Sequence, residues 1–262
     1  MKAFGIASLV LLAGTAFAQD DVEAKKKRLG EIMKQTSQLQ AEAEKILKDL
    51  AGGDPEKLQA IMREVSKKYA PEFDAAMASA QIAANERNAS ATLKTLVTAQ
   101  ADFRANDRDN NRVNDFWVAD VSGLYRIDVD GAIRLIEQAA ATADARPAVP
   151  LGKAGALSGV PKEHASKFAL LGLGKPTPKT DYWFVAIETY EDENGAAVKY
   201  NEGNGRNTSR FGLCAYPAEY GDRGHFTFII SEENEMWKKD TGGKPVERYA
   251  KDPGSAGWTK MR

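Results

Sequence analysis

Four short runs of aromatic and β-branched residues follow one another near the end of the chain, with turn residues and no helical pattern between them. They cover residues 182–190, 211–216, 225–231 and 236–239. Such runs are typical of β-strands, and strands joined this closely leave no room for a crossover helix, so we expect them to pair as an antiparallel meander. One face of that sheet must be covered by another apolar element.

The first part of the chain has the pattern of helices from residue 20 to about residue 104. Small and apolar residues recur at alternating spacings of three and four along the first of them: Leu29, Ile32, Thr36, Leu39, Ala43, Ile46 and Leu50. Gly52 and Gly53 end this helix and Asp54-Pro55 begins the next, which predicts a helical hairpin over residues 19–70. Packing inside the hairpin explains the stripe, and a coiled-coil contact with another subunit is the alternative.

A third helix is predicted over residues 72–106 and is the candidate spine that covers the sheet. Its candidate inward-facing residues are Phe73, Met77, Ile82, Leu93, Leu96, Val97 and Phe103. The fold class is therefore α+β, with an N-terminal helical hairpin and a long spine helix packed on a C-terminal antiparallel meander. We place the second domain at residues 71–262, with a long Pro/Gly-rich connection at residues 145–180 that we expect to lie on the surface.

The first eighteen residues have the layout of a secretory signal peptide. Lys2 precedes an apolar run, and Ala16-Phe17-Ala18 supplies a cleavage site directly before Gln19. The run is shorter than the roughly 20 residues that cross a bilayer. We therefore expect an exported protein, periplasmic or extracellular, with no stable membrane span after cleavage; retention as an anchor is the alternative.

The charge of the chain disfavours two classes of partner, and its cysteine content excludes an internal disulfide. Lys plus Arg (36) and Asp plus Glu (37) nearly cancel, so no net charge favours nucleic acid or an anionic membrane. Cys214 is the only cysteine, so an exported product holds no internal disulfide. Because Cys214 lies in an apolar strand pattern, we expect a buried and unreactive thiol.

The best local motif follows the third helix. Asp107, Asp109, Asn111 and Asp115 place oxygen-bearing side chains at the first, third, fifth and ninth positions of a loop, and Val113 offers its carbonyl at the seventh. This order matches the ligands of calcium loops, in which alternate residues turn their oxygens toward one hard cation. The pattern predicts a structural calcium site.

Two positions depart from that pattern. Arg112 stands at the sixth position, where glycine normally permits the sharp turn, and Val118 stands at the twelfth, where glutamate is usual. A helix end followed by an Asx-rich turn requires the same residue types, so both interpretations stay open.

No recognisable catalytic set is present in the sequence. His164 and His225 are the only histidines, and neither has a partner at metal-binding spacing. We expect His164 to be solvated and His225 to make a structural hydrogen bond. No catalytic residue and no cofactor other than calcium is predicted.

Several motifs stand in the second half of the chain: Asp115-Phe116-Trp117, Gly123-Leu124-Tyr125, Cys214-Ala-Tyr-Pro217, Tyr220-Gly221-Asp-Arg-Gly224, Thr227-Phe228 and Lys239-Asp240-Thr-Gly242. They are similar to the signature of an uncharacterised family of bacterial exported proteins related to type IV pilins and pseudopilins. The resemblance covers roughly residues 85–258 and implies a pilin-like fold in a cell-envelope or extracellular protein. The chain lacks the pilin leader, so the resemblance bears on fold and compartment and not on polymerisation.

Two functions follow as hypotheses. The first is a non-catalytic structural or interaction module that contacts an envelope or extracellular partner through the helical hairpin or through the polar residues 191–210. Self-association through the N-terminal helices is one form of it. The alternative is a calcium- or small-ligand-binding periplasmic module centred on residues 107–115.

Overall fold

The computed structural model describes residues 19–69, 71–127, 134–153, 155–156, 169–170 and 172–261. Within them the chain is α+β, with long helices first and antiparallel sheets after them, as the sequence predicts. Its contacts divide the chain into two compact units, one ending at Asp74 and one beginning at Ala75. The predicted signal peptide and His164 lie outside the described residues. Among the helices in the described ranges, none combines the length and the apolar character that crossing a membrane requires.

The first unit contains a helical hairpin formed by α1, Gln19–Ala51, and α2, Pro55–Tyr69. Gly52 (φ 62°) and Gly53 (φ 88°) adopt the left-handed backbone that ends α1. Oδ1 of Asp54 accepts a hydrogen bond of 2.9 Å from the backbone N–H of Glu56, so Asp54 caps α2 as the sequence predicts.

Most of the stripe on α1 remains exposed. The helices have 33 and 15 residues, so they are roughly 50 and 22 Å long and α2 can lie beside less than half of α1. Nine of the twelve exposed large apolar side chains among the described residues lie on these two helices: Val22, Leu29, Ile32, Met33, Leu39, Ile46, Leu50, Met62 and Val65. The interpretation of the stripe as the interior of the hairpin is therefore wrong for most of its members.

The second unit is built on α3, Pro71–Ala105, which forms one wall of its core. Ala89, Leu93, Leu96 and Phe103 recur at helical spacing and are completely buried. They belong to one apolar cluster with side chains of the large sheet, among them Phe184, Val185, Leu213, Phe228 and Ile230. The predicted packing of a spine helix on the sheet is thus present in this unit.

The buried face of α3 begins later than predicted. Met77 is 57% exposed, so its prediction as an inward residue is wrong, and the side chain of Phe73 lies outside the described residues. Burial begins at Asn85, whose Nδ2 donates to Oδ2 of Asp181 and to the carbonyl of Arg223, at 3.0 Å each. In the turns before Asn85, residues 75–81 are exposed and residues 82–84 are half-buried.

In the sequence, two short helices follow α3 and precede the strands of the large sheet: α4 (Gly123–Arg126) and α5 (Gln138–Thr142). The strands of the described residues are, in chain order, β1 Phe116–Trp117, β2 Gly155–Ala156, β3 Ala169–Leu170, β4 Tyr182–Ala186, β5 Thr189–Glu191, β6 Ala197–Lys199, β7 Arg206–Asn207, β8 Gly212–Pro217, β9 Thr227–Ser231, β10 Met236–Lys239, β11 Arg248–Tyr249 and β12 Thr259–Lys260.

The large sheet has five strands in the order β12-β10-β9-β8-β4, and every neighbouring pair is antiparallel. The predicted meander of four successive strands is therefore confirmed, and β12 adds an edge. In the register, Cys214 lies between Val185 and Ile229, and all three side chains are buried. The predicted burial of the single thiol is confirmed.

The described residues also form three smaller sheets. Two have two antiparallel strands each, β1 with β7 and β2 with β3. The third has the order β11-β5-β6, in which β5 pairs in parallel with β11 and antiparallel with β6. The predicted strand over residues 182–190 is therefore two strands in two sheets. The predicted strand over residues 225–231 begins only at Thr227, because the backbone N–H groups of His225 and Phe226 donate to Oε1 of Glu86.

The polar segment 191–210 and the predicted connection 145–180 both contain buried residues. The segment 191–210 is not wholly exposed, since Tyr200, Arg206 and Asn207 are buried. In the connection 145–180, Leu151 is buried and β2 pairs with β3, while residues 157–168 lie outside the described residues.

Candidate functional site

The acidic loop begins where α3 ends, and Asp107 organises it. Oδ1 of Asp107 accepts from the backbone N–H of Asn111 and Oδ2 from that of Arg112, both at 3.0 Å. These bonds fold the loop around one carboxylate, as in an Asx turn. Arg112, at the position where calcium loops usually carry glycine, has the left-handed φ of 66°.

Asn111 brings two further carboxylates together. Its Nδ2 donates to Oδ2 of Asp109 and to Oδ2 of Asp115, both at 3.0 Å, and its Oδ1 accepts from the N–H of Val113 at 2.7 Å. Asp109 is completely buried and Asp115 is 4% exposed. Three of the five predicted residues therefore meet through their side chains, and Asp107 joins them through the backbone. Val113 turns its side chain outward, and its carbonyl accepts from the N–H of Asp115.

Arg206 completes this cluster, and sequence reasoning missed it. Its Nε lies 2.5 Å from Oδ2 of Asp109, and its guanidinium stacks 4.5 Å from the centre of the Trp117 ring. It also donates to the carbonyl of Asn204. The pairing of β7 with β1 places Arg206 here, because Trp117 and Arg206 are cross-strand partners.

Three polar atoms of the cluster have no hydrogen-bond partner in the protein. They are Oδ1 of Asp109, Oδ1 of Asp115 and Nη2 of Arg206, and only one other buried side-chain atom among the described residues shares this property. In folded proteins such atoms are rare and each requires an explanation. Beside Asp115 and Arg206 lies a pocket of roughly 300 Å³, which Asn111, Glu202 and Thr208 also line, among others.

Burial controls the protonation of the two inner carboxylates. Loss of hydration raises the pKa of Asp109, and the Arg206 guanidinium opposes that rise. Loss of hydration also raises the pKa of Asp115, against the hydrogen bond from Asn111. Among the described residues no three His, Cys, Asp or Glu side chains are arranged to hold a metal by themselves, so a cation here would need oxygens from Asn111 or the backbone as well.

A second buried acidic pair, which the sequence did not indicate, lies next in the chain. Asp120 accepts from the indole N–H of Trp117 and the backbone N–H of Gly123 through Oδ1, at 2.8 Å each. Oδ2 accepts from the hydroxyl of Ser122 at 3.0 Å and the N–H of Ala148 at 2.9 Å. These bonds hold the turn before α4.

Asp144 is the other member of the pair. Its Oδ2 accepts from the N–H groups of Val121 (2.9 Å) and Ser122 (2.8 Å), and its Oδ1 accepts from the N–H of Arg146 (2.9 Å). Burial and the neighbouring charge of Asp120 raise its pKa to about 7. Both oxygens are occupied by the backbone, which is the arrangement of a structural carboxylate.

His225 and Cys214 are the remaining candidates for chemistry. His225 is exposed, and its ring lies edge-on at 6.0 Å from that of Tyr220. The N–H of His225 donates to Glu86, so the predicted structural hydrogen bond is made by its backbone. Burial raises the pKa of Cys214 to about 12, so its thiol is not ionised near neutral pH.

A family described as a protein of unknown function, DUF2950, matches residues 17–255. No curated protein matches the chain, and no solved structure does. The uncharacterised family that the C-terminal motifs predict is thus supported in its coarse form, and the relation to pilins remains a prediction.

Proposed function

Since the chain belongs to the DUF2950 family, whose description assigns no activity, we propose from the geometry that it is a non-catalytic, exported structural or interaction protein. It acts by contacting another protein of the cell envelope or the extracellular space through the exposed apolar stripe of α1. Its second unit serves as a stable folded body of pilin-like type, with α3 packed on an antiparallel sheet.

The exposed stripe carries this proposal. Leu29, Ile32, Leu39, Ile46 and Leu50 follow the alternating spacing of three and four that packs knobs into holes against another helix. Each is about half exposed, so covering the remainder gains roughly 1 kcal/mol per side chain, or about 5 kcal/mol in all.

The free energy gained by covering the stripe limits how tightly a partner can bind. Association costs at least roughly 4 kcal/mol in lost translation and rotation, so the α1 stripe by itself supports a weak complex. A stable complex must cover additional apolar surface, and Met33, Met62 and Val65 are exposed on the same two helices. The partner therefore presents an apolar surface that is itself elongated, and a second copy of α1 meets that description.

Two features support the other parts of the proposal. Export rests on the charged, apolar and small-x-small order of residues 1–18. A role without catalysis is supported by Asp120 and Asp144, because the backbone, Trp117 and Ser122 use all of their oxygens.

Site-specific photo-cross-linking in cells that export the chain tests the contact. A cross-linking amino acid at position 39 lies on the stripe, and one at position 41 lies on the opposite face of the same turn, since two residues turn a helix by roughly 200°. We expect a discrete adduct from Leu39 and none from Ala41, whose side chain is also exposed. Equal adducts from both positions, or none from either, would contradict the proposal.

A further inference from the structure

We propose that the loop of Asp107, Asp109, Asn111, Val113 and Asp115 binds one calcium ion through carboxylate oxygens that the protein leaves without a partner. This inference is independent of the contact surface on α1, because it concerns the second unit alone.

The unpartnered oxygens point to a ligand. Oδ1 of Asp109 and Oδ1 of Asp115 are buried and accept no hydrogen bond, although the second oxygen of each carboxylate does. A buried carboxylate oxygen without a donor has lost its hydration and gained nothing in return. The Nδ2 of Asn111 contacts the Oδ2 atoms of both carboxylates at 3.0 Å each, so the two carboxyl groups lie on either side of one amide, close enough to share an ion.

The charge of the cluster points to a cation. Asp107, Asp109 and Asp115 are three carboxylates in one loop, and Arg206 is the basic side chain paired with them, through Oδ2 of Asp109. A divalent ion on the free Oδ1 atoms would balance the remaining charge without displacing Arg206. The pocket beside Asp115 and Arg206 lies next to this cluster.

The chemistry of the available groups selects calcium. They are carboxylate, amide and carbonyl oxygens, and in the part of the chain that the structure describes no imidazole or thiolate joins them, which disfavours zinc and copper. Calcium accepts six to eight oxygens in irregular arrangements and completes its shell with water, whereas magnesium demands near-octahedral geometry. Asp107 and Val113 each retain a free lone pair on an oxygen that already accepts one hydrogen bond.

One rearrangement must accompany binding. Asn111 now turns its NH₂ group toward the two carboxylates, and an ion at that point requires its oxygen there instead. Rotation of the amide would break its bond from the N–H of Val113. Asn111→Asp is therefore informative, because a carboxylate can face the ion and accept from Val113 at the same time.

Thermal unfolding of the mature chain, in EDTA and in millimolar calcium chloride, tests the site. We expect calcium at about 100 times its dissociation constant to raise the melting temperature by roughly 5–10 °C. Asp115→Asn should abolish this rise and should melt no lower than the wild type in EDTA, because it removes one of three mutually repelling charges. Asp102→Asn is the matched control, since Asp102 precedes the loop but pairs with Arg108, and it should keep the rise.

Asn111→Asp gives a second readout that survives if Asp115→Asn fails to fold. With a calcium site, this variant melts lower than the wild type in EDTA and shows the larger rise in calcium. If Arg206 is the only cation that the loop uses, the variant is destabilised equally in both buffers. Absence of a calcium-dependent rise in the wild type, or an equal rise in Asp115→Asn, would overturn the proposal.

Discussion

Asp144→Asn is expected to change how the stability of the protein depends on pH. Asp144 is completely buried, and its carboxylate accepts three backbone hydrogen bonds beside a second buried carboxylate, Asp120. Burial and the charge of Asp120 raise its pKa from 3.8 to about 7 in the folded state. The unfolded chain hydrates the same group and restores its ordinary pKa.

The sign of the effect follows from proton binding. Between the two pKa values the folded state holds a proton on Asp144 that the unfolded state has released, so stability falls as the pH rises through this window. The contribution is fully present below about pH 4 and is lost as the pH passes about 7. From pH 5 to pH 8 the free energy of unfolding should fall by about 3 kcal/mol on this account, at 1.36 kcal/mol for each unit below the folded pKa.

Urea unfolding at a series of pH values measures the loss. Between pH 5 and pH 8 the wild type should lose about 3 kcal/mol more than Asp144→Asn, although the amide leaves one N–H without an acceptor and lowers the stability of the variant at pH 5. Asp222→Asn, at an exposed aspartate, is the control and should follow the wild type. A wild-type stability that is flat or rises over this range, or an Asn variant with the same slope, would refute the assignment.

Two other substitutions test how β1 and α4 are held. Gln100→Ala should cost roughly 2–4 kcal/mol in urea unfolding, because the Gln100 amide donates to the carbonyl of Trp117 at 2.5 Å and accepts from its N–H at 3.0 Å; a cost within experimental error would contradict this. Gly123→Ala should lower stability by more than roughly 2 kcal/mol, since its Cβ would lie 2.2 Å from Nε1 of Trp117. Gly30→Ala is the contrasting variant, because a Cβ at this position on α1 has no neighbour within 4 Å. It should raise helix stability by roughly 0.5–1 kcal/mol, as measured by circular dichroism during thermal unfolding. The opposite order of the two glycine variants would count against the packing described.

The sequence predicts those parts of the fold that are encoded locally. The runs that form β8, β9 and β10 have short connections between them, so their antiparallel pairing follows from the length of the connections. The longer connection between β4 and β8 has no helical pattern, which is what favours antiparallel pairing there. The end of α1 and the start of α2 follow from glycine and from the Asp54 cap. The limits of these elements are less predictable, because they depend on distant side chains such as Glu86, whose carboxylate takes the N–H groups that would otherwise begin β9.

The stripe on α1 shows a second limit. Periodicity reports that one helix face is apolar, and it does not report which surface covers that face. Leu29 and Ile32 satisfy the pattern of a hairpin interior, yet α2 is too short to reach the first half of α1. Leu39, Ile46 and Leu50 lie in the second half and are exposed as well. Helix length was visible in the sequence and could have corrected the interpretation for the first half of α1.

The candidate site is also predictable only in part from the sequence. Asp107, Asp109, Asn111 and Asp115 meet because a nine-residue loop folds on itself, and their spacing predicts this. Arg206 reaches Asp109 from 97 positions further along the chain. The two-residue strands β1 and β7 that align them carry no periodic signal, so no local pattern could have indicated this ion pair.

The two buried aspartate pairs are alike in residue type and in burial. They differ in the number of carboxylate oxygens that accept hydrogen bonds. Asp120 and Asp144 each accept hydrogen bonds on both oxygens, so a cation bound there would have to break bonds that hold the turn before α4. Asp109 and Asp115 each keep one oxygen unpaired. A cation bound there would break only the hydrogen bonds from the Asn111 amide. Because an unpaired buried acceptor costs about 1–3 kcal/mol, the loop gains by accepting an ion and the second pair loses. A calcium response should therefore depend on Asp115 and be indifferent to the charge at Asp144.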